Sequence, residues 1–269
     1  MLTEQDKINQ SVWSTAAAMR DLDCNALFTD EGEHAALDFV NAEARGKPIL
    51  DLGVGRGRTI PLLRPLTNDY RAIDYMQSMV DISRRRYPGT DVALGDARDL
   101  SDLPESHFGL VQFSNNGIDA VNAADRLLVF AAVRRVLLPG GLFLFSSLNL
   151  DGPAFRARPW HWRLPRALQP LRLGVRVARE MAWMPVHVAK WLKVLRHTTH
   201  GDGYAVAPLP AHHWGLVAHY TTLQHQFEEL EQHGFAPDPV VFDNLTGERV
   251  LPGHDTSRFD HFHVVARRL

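Results

Sequence analysis

An apolar run, Pro48-Ile49-Leu50-Asp51-Leu52, breaks directly into Gly53-Val54-Gly55-Arg56-Gly57, and no other stretch restricts the fold as much. A strand that turns into a helix within a few residues needs positive φ and a backbone without Cβ, and glycine provides both. Such a turn also brings main-chain amides to the carboxyl end of the strand, where open α/β sheets hold their ligands. Taken alone, the trio is equally well an ordinary tight turn.

The surroundings decide between these readings. Apolar runs at 70–74, 91–94, 109–113 and 141–146 alternate with helical patterns, the signature of a parallel sheet with crossover helices. The clearest helix covers 123–138, with Leu127, Phe130, Val133 and Leu137 on one face and a predicted stop at Leu138-Pro139-Gly140-Gly141. The run Leu142-Phe143-Leu144-Phe145 is apolar enough to lie mid-sheet, covered on both faces. A helix at 223–233 and strands at 240–243 and 262–266 follow. Residues 1–46 read as helical, with Trp13, Met19, Leu27, Ala35 and Phe39 inward and a helix start at Thr29-Asp30-Glu31-Gly32-Glu33.

Two further acids end strands in register. Asp74 lies 23 positions after Asp51 (74 − 51), where a carboxylate can accept both ribose hydroxyls of an adenosine. Asp96, in Gly95-Asp96-Ala97-Arg98, is placed to accept from an adenine amine. A dinucleotide fingerprint, Gly-x-Gly-x-x-Gly, requires glycine at position 58, which is Arg58. A diphosphate also avoids a carboxylate two residues before the first glycine, whereas an amine and a sulfonium favour one. No Gly-Lys-Ser/Thr triphosphate loop occurs. Charge and spacing together favour S-adenosylmethionine.

From about residue 47 to 150 the chain resembles a class I S-adenosylmethionine-dependent methyltransferase. Asp51, Gly53, Gly55 and Gly57 match that family's first motif and Asp74 the acid of its second strand. Asp96-Ala97 resembles its adenine-contacting motif, and Leu138-Pro139-Gly140-Gly141 is similar to the turn before its fifth strand. The resemblance implies an α/β, Rossmann-like sheet of seven strands, the last antiparallel, flanked by helices. It implies a cofactor set of Asp51, Gly53, Gly55, Gly57, Arg58, Asp74, Tyr75, Met76, Asp96, Ala97, Ser114 and Asn115. It also places the start of Phe113-Ser114-Asn115-Asn116-Gly117-Ile118-Asp119 near the methionine moiety and the acceptor. Asn115, Asn116 and Asp119 are apt for holding an amine or carboxylate, and equally apt as a polar helix cap.

Residues 153–200 match no general family pattern. They hold five prolines, four tryptophans (Trp160, Trp162, Trp183, Trp191) and ten Lys or Arg against one acid, Glu180. The segment is too short for a core of its own and reads as an inserted cap over the site, with one or more of its tryptophans inward. An anionic substrate is the second reading. Nucleic acid is disfavoured, because the cations are interleaved with Leu, Val and Pro. Six of the 14 histidines lie between 197 and 225. Of the cluster His212, His213, His219 and Tyr220, His213 and Tyr220 are the candidates for a catalytic base, needed only if the acceptor must lose a proton early. The spacings match no strong zinc pattern, so no metal is expected.

The expected organisation is a helical lid at 1–46, to which Trp13 and Phe28 contribute, and a cofactor-binding core at 47–152. A basic helical cap at 153–205 and completion of the core sheet at 206–269 follow. A lone cysteine, Cys24, a mixed-charge amino terminus and the absence of a long apolar run point to the cytoplasm and away from a membrane. A net charge of −2 gives no overall attraction to polyanions, and a homodimer is left open. The leading expectation is methyl transfer to a small molecule by in-line displacement, releasing S-adenosylhomocysteine. One alternative is attack on the aminobutyl chain, by cyclisation or transfer, releasing methylthioadenosine. The other is a non-catalytic cofactor-binding regulator.

Overall fold

The structure is a computed structural model that describes residues 2–15, 29–161, 170–251 and 253–269. Met19, Cys24, Leu27, Phe28 and Trp162 lie outside the described residues. The longer helices are α1 (Glu4–Trp13), α2 (Glu31–Ala44), α3 (Gln77–Arg86), α4 (Ala123–Val136), α5 (Pro170–Leu195) and α6 (Leu223–Gln232). The main sheet consists of β1 (Ile49–Leu52), β2 (Tyr70–Asp74), β3 (Asp91–Leu94), β4 (Phe108–Phe113), β5 (Leu137–Leu148), β9 (Val240–Asp243) and β10 (His261–Arg267). A smaller sheet holds β6 (Thr199–His200), β7 (Tyr204–Leu209) and β8 (Leu216–Thr221).

The seven-stranded sheet runs β3-β2-β1-β4-β5-β10-β9. β1 pairs in parallel with β2 on one side and β4 on the other, and β10 is antiparallel to both β5 and β9. The expected sheet, last strand reversed, is therefore present. The strand order reverses at β1 and β4, the point at which such sheets bind ligands. One face packs Leu50, Val111, Phe143 and Phe145 against Val129, Phe130 and Val133 of α4 and Leu230 of α6. The other packs Ile49, Leu110, Leu144 and Val265 against Ala36 and Val40 of α2 and Val80 of α3.

Two local expectations are corrected, the end of α4 and its buried face. α4 ends at Val136, not 138, and Leu138-Pro139-Gly140-Gly141 begins β5 instead of merely stopping the helix. Pro139, which has no N–H, falls with its neighbours where the β4–β5 register shifts between Phe108 and Leu110, so the sheet absorbs it as an irregularity. The buried face of α4 is Arg126, Val129, Phe130, Val133 and Val136, which leaves Leu127 exposed. Trp160 and Trp183 are exposed as well, and Trp191 is half-buried, edge-on to Trp160. The smaller sheet spans 199–221 and so straddles the boundary expected at 205/206. Leu150 N–H donating to Thr221 (3.0 Å) ties it to the end of β5.

Arg126 explains the shifted face of α4. It is fully buried and donates to Asp119 (2.5 Å), Ser147 (3.0 Å), Glu229 (3.2 Å) and Gln226. Asp119 also accepts from Leu148 N–H at 2.6 Å, and burial still pushes its carboxyl up to about 6. The network joins the β4 turn, β5, α4 and α6 around one cation. Removing that cation strands two carboxylates in the core. Arg126→Met is expected to lower unfolding stability by about 3–5 kcal/mol, read from the urea midpoint. A loss below about 1 kcal/mol would show that the charges are solvated in the native state.

Candidate functional site

The glycine turn leaves β1 with Gly53 at φ +62°, and a Cβ there would lie 2.6 Å from the Phe113 ring at the end of β4. The turn can therefore sit flush on β4 only without a side chain. Asp74, at the end of β2, fastens it from the other side. One carboxylate oxygen accepts from Gly55 N–H (2.9 Å) and the other from Met76 N–H (2.8 Å). Burial pushes the Asp74 carboxyl up while those two amides pull it down. Each oxygen keeps a further lone pair for a ligand.

Between the turn and the β4 end lies a cavity of about 320 Å³. Of the expected cofactor residues, Gly53, Gly55, Asp74, Tyr75, Met76, Ser114 and Asn115 line it, joined by Asn116 and Asp119. A second space of about 50 Å³ is lined by Asp96, Ala97, Gly95 and Ile73, and shares Gly53, Tyr75, Phe113, Gly117 and Ala120 with the first. The two form one elongated site, within the range of small-molecule pockets. Asp96 is held by Arg98 (2.6 Å), which also bonds Asp6 of α1 (2.8 Å) and Asp125 of α4 (2.6 Å). Arg98 holds the Asp96 carboxyl below the usual range against the opposing effect of burial.

Asp51, Gly57 and Arg58 do not line these spaces. Gly57 is packed against Tyr87 and Ser83. Asp51 is 1% exposed beneath the turn, where it accepts from Thr59 (2.5 Å) and Tyr70 (2.7 Å) through one oxygen. Its other oxygen is buried without a hydrogen-bond partner. Burial pushes its carboxyl up to about 6. Arg58 forms a two-pronged pair with Glu33 of α2 (2.6 and 2.7 Å), and both side chains bond the Ser114 hydroxyl. These residues brace the turn and the β4 end from behind.

The roof comes from polar residues that sequence reasoning missed. Asn9 of α1 donates to Ala120 (3.0 Å) and Val217 (2.9 Å) carbonyls and accepts from Val217 N–H (3.0 Å). Gln5 donates to the same two carbonyls. Gln5, Asp6 and Asn9 are all buried, and their shared face was the available signal: positions 5, 6 and 9 lie on one side of a helix where apolar residues are the norm. Asn9 and Trp13 line the cavity, and Trp13 meets Tyr75 edge-on at 6.1 Å. The remaining wall is Leu148, Leu209, Ala211, His212, Leu216, Val217 and Ala218.

Backbone strain gathers here. Asn115 and Asn116 adopt left-handed φ of 52° and 56°, and His212, His213 and Trp214 do so consecutively at 51°, 60° and 65°. Non-glycine residues in this region cost free energy and cluster at functional sites. Asn116 N–H donates to Ser146 (2.7 Å), and its side-chain oxygen is buried without a partner.

The structure does not bring His213 and Tyr220 to the cavity. His213 bonds His187 (2.9 Å) and stacks on Trp183 in an adjoining groove. Tyr220 is fully buried and donates to the Pro208 carbonyl (3.3 Å). His219 is buried and stacked on Tyr204, its ring held well below its ordinary pKa by burial and nearby Arg126. Strand alternation points Tyr220 and His219 to opposite faces of β8, so adjacent positions could not both reach one site. Asp30, His261 and His263 form a cluster of metal-ligand composition. Asp30 meets the two imidazoles at 2.7 and 2.8 Å through different oxygens and caps α2 through Glu33 N–H, while His263 Nε2 is buried without a hydrogen bond of good geometry.

Comparison with known proteins matches residues 49–141 to a family described as a methyltransferase domain. The match spans about a third of the chain. Over 152 residues, 55% of its length, the chain is 30% identical to a malonyl-[acyl-carrier protein] O-methyltransferase of Serratia marcescens. The chain covers 57% of that relative and 39% of a probable S-adenosylmethionine-dependent methyltransferase of Mycolicibacterium smegmatis. An S-adenosylmethionine-dependent methyltransferase of Mesorhizobium loti shares the fold with a TM-score of 0.55 at 20% identity, over 88% of this chain and 98% of that one. A glycopeptide N-methyltransferase complexed with S-adenosylmethionine does so with a TM-score of 0.54 at 19% identity, over 90% and 96%. The fold is that of the class I methyltransferases.

The buried acid under the methyltransferase turn gives a pH prediction. Asp51 titrates near 6 folded and near 3.8 unfolded, so the native state binds more protons between those values and loses stability as pH rises through them. Asp51→Asn carries no such proton. Its stability relative to wild type is expected to rise by about 1–3 kcal/mol between about pH 4 and pH 7, whatever its offset at low pH. Parallel stability–pH curves for the two proteins would contradict the upward shift of the buried carboxyl.

Proposed function

We propose that this protein is an enzyme that moves a methyl group from S-adenosylmethionine to a small-molecule acceptor. The observation that carries this reading is the elongated site, with Asp74 at its centre, Asp96 at its narrow end and a methyltransferase domain around it. Bound S-adenosylmethionine supplies a methyl carbon already activated by its sulfonium. The task left to the chain is alignment and exclusion of water.

Each part of the site suits a part of that cofactor. The free lone pairs of Asp74 accept the ribose hydroxyls. Asp96, fixed by Arg98, accepts the adenine amine, with Ile73, Ala97 and Phe113 as apolar neighbours of the ring. Gly53 and Gly55 let the cofactor approach the main chain. Arg58, Glu33 and Ser114 lie at the β4 end, where they orient the methionine moiety, and buried Asp51 adds negative potential behind it.

The acceptor lies between Asn115 and Asn116 and the apolar wall of Leu148, Leu209, Leu216 and Val217. That combination suits an acceptor with an apolar body and a hydrogen-bonding reactive end. Asn116, with its unpartnered oxygen, holds a donor on the acceptor. His212 is the titratable side chain on this wall, in place of His213 and Tyr220. α1, closed by Asn9 and Trp13, keeps water off the site. Residues 1–46 serve as the lid and the segment from 153 to 222 as the acceptor cap, the latter running past the limit of 205 expected from composition.

Asp74→Ala removes the ribose acceptor and is expected to weaken S-adenosylmethionine binding at least about tenfold in calorimetry, since hydrogen bonds to charged groups contribute about 1.5–3 kcal/mol. Unchanged affinity would place the cofactor elsewhere. Product analysis with an accepted substrate is expected to give S-adenosylhomocysteine. Methylthioadenosine would instead establish attack on the aminobutyl chain.

A further inference from the structure

We propose that α5 docks this protein flat onto an anionic lipid bilayer. The helix is 26 residues long, about 39 Å at the usual rise, and its outer side is apolar. Val175, Met181, Trp183, Val186, Leu192 and Leu195 are each between 37% and 65% exposed. Ala178, Ala182 and Ala189 are exposed among them. The inner side carries Val177, Met184, Val188 and Val194, which are partly or fully buried toward the cap. α5 thus carries apolar residues on its packed side, where Arg176, Glu180, His187 and Lys190 are also half-buried, as well as on its free side. A solvated helix carries polar residues there, and an apolar patch of this extent marks a docking surface.

Charge selects the occupant. α5 contains Arg172, Arg176, Arg179, Lys190 and Lys193, with Glu180 as its only acid, and Arg196 and His197 follow directly. Lys193 is exposed on the apolar side, as is Arg179, which pairs with half-buried Glu180 at 3.7 Å. The groove of about 490 Å³ between α1 and the end of α5 adds Lys7, Lys190, Lys193 and Arg196 to its lining. Apolar side chains flanked by cations, with an exposed tryptophan, are what an interfacial helix presents to lipid tails and anionic headgroups. Among the described residues no helix is long and apolar enough to cross a membrane, and α5, interrupted by cations and Pro185, lies in the interface instead. A polynucleotide would need a phosphate-tracking row of cations in place of the apolar residues. The proposal stands apart from the catalytic reading, because it concerns a face outside the cofactor cavity.

The test is co-sedimentation of the full chain with phosphatidylcholine vesicles, with and without phosphatidylglycerol. Wild type is expected to pellet with the anionic vesicles, less so at high salt, and to stay in solution with the neutral ones. The triple variant Met181→Glu, Val186→Glu, Leu192→Glu is expected to lose partitioning by at least about tenfold. Its S-adenosylmethionine affinity should be unchanged, which shows that it is folded. Failure of wild type to pellet with anionic vesicles would overturn the proposal, as would equal pelleting of the variant. So would a wild-type dimer in light scattering that the variant splits, since the face would then belong to a second copy.

Discussion

The site depends on one carboxylate. Asp74 ends β2, reaches across to the turn that leaves β1, and takes the Gly55 and Met76 amides with its two oxygens. That contact holds the glycine turn down on Phe113 and leaves the remaining lone pairs facing the cavity. A turn free to lift would widen the space beside β4 and lose the flush packing that Gly53 permits. The same group thus shapes the pocket and presents polarity to whatever fills it. Its own cost of burial is offset by main-chain amides that would otherwise be unsatisfied at the loop.

Much of this was legible in the sequence because it rests on short-range rules. The β1–glycine turn, the acids at 74 and 96, and the apolar β5 run each follow from local chemistry, and the structure has them on one sheet edge. The misses have a common cause. Asn9 and Gln5 matter because Val217 is opposite them, more than 200 positions away, and no local pattern reports that. Arg126 gives no local signal either, since its partners come from the β4 turn, β5 and α6. The histidine cluster misled for the converse reason. Adjacent residues on a strand point to opposite faces, and packing on both faces of β8 buries His219 and Tyr220 away from the cavity.

Lid and cap are attached to the core by polar contacts as well as by apolar ones. Asn9, Gln5 and the Asp6–Arg98–Asp96 chain seat α1, and the main-chain bond from Leu150 to Thr221 seats the small sheet. Directional contacts specify one arrangement over many near-equivalent ones, which a site built for alignment requires. They also leave the apolar side chains of α5 unspent on the protein's own core.

The grip of Asn9 on Val217 has a consequence for the order in which the molecule is made. α1 is made well before β8, bearing three polar side chains whose partners lie near residues 98, 120 and 217. Until the last of these emerges, the helix has no seat and the cofactor cavity no roof. Strands β1 to β5 can pair meanwhile, but the roof closes only when α1 meets β8.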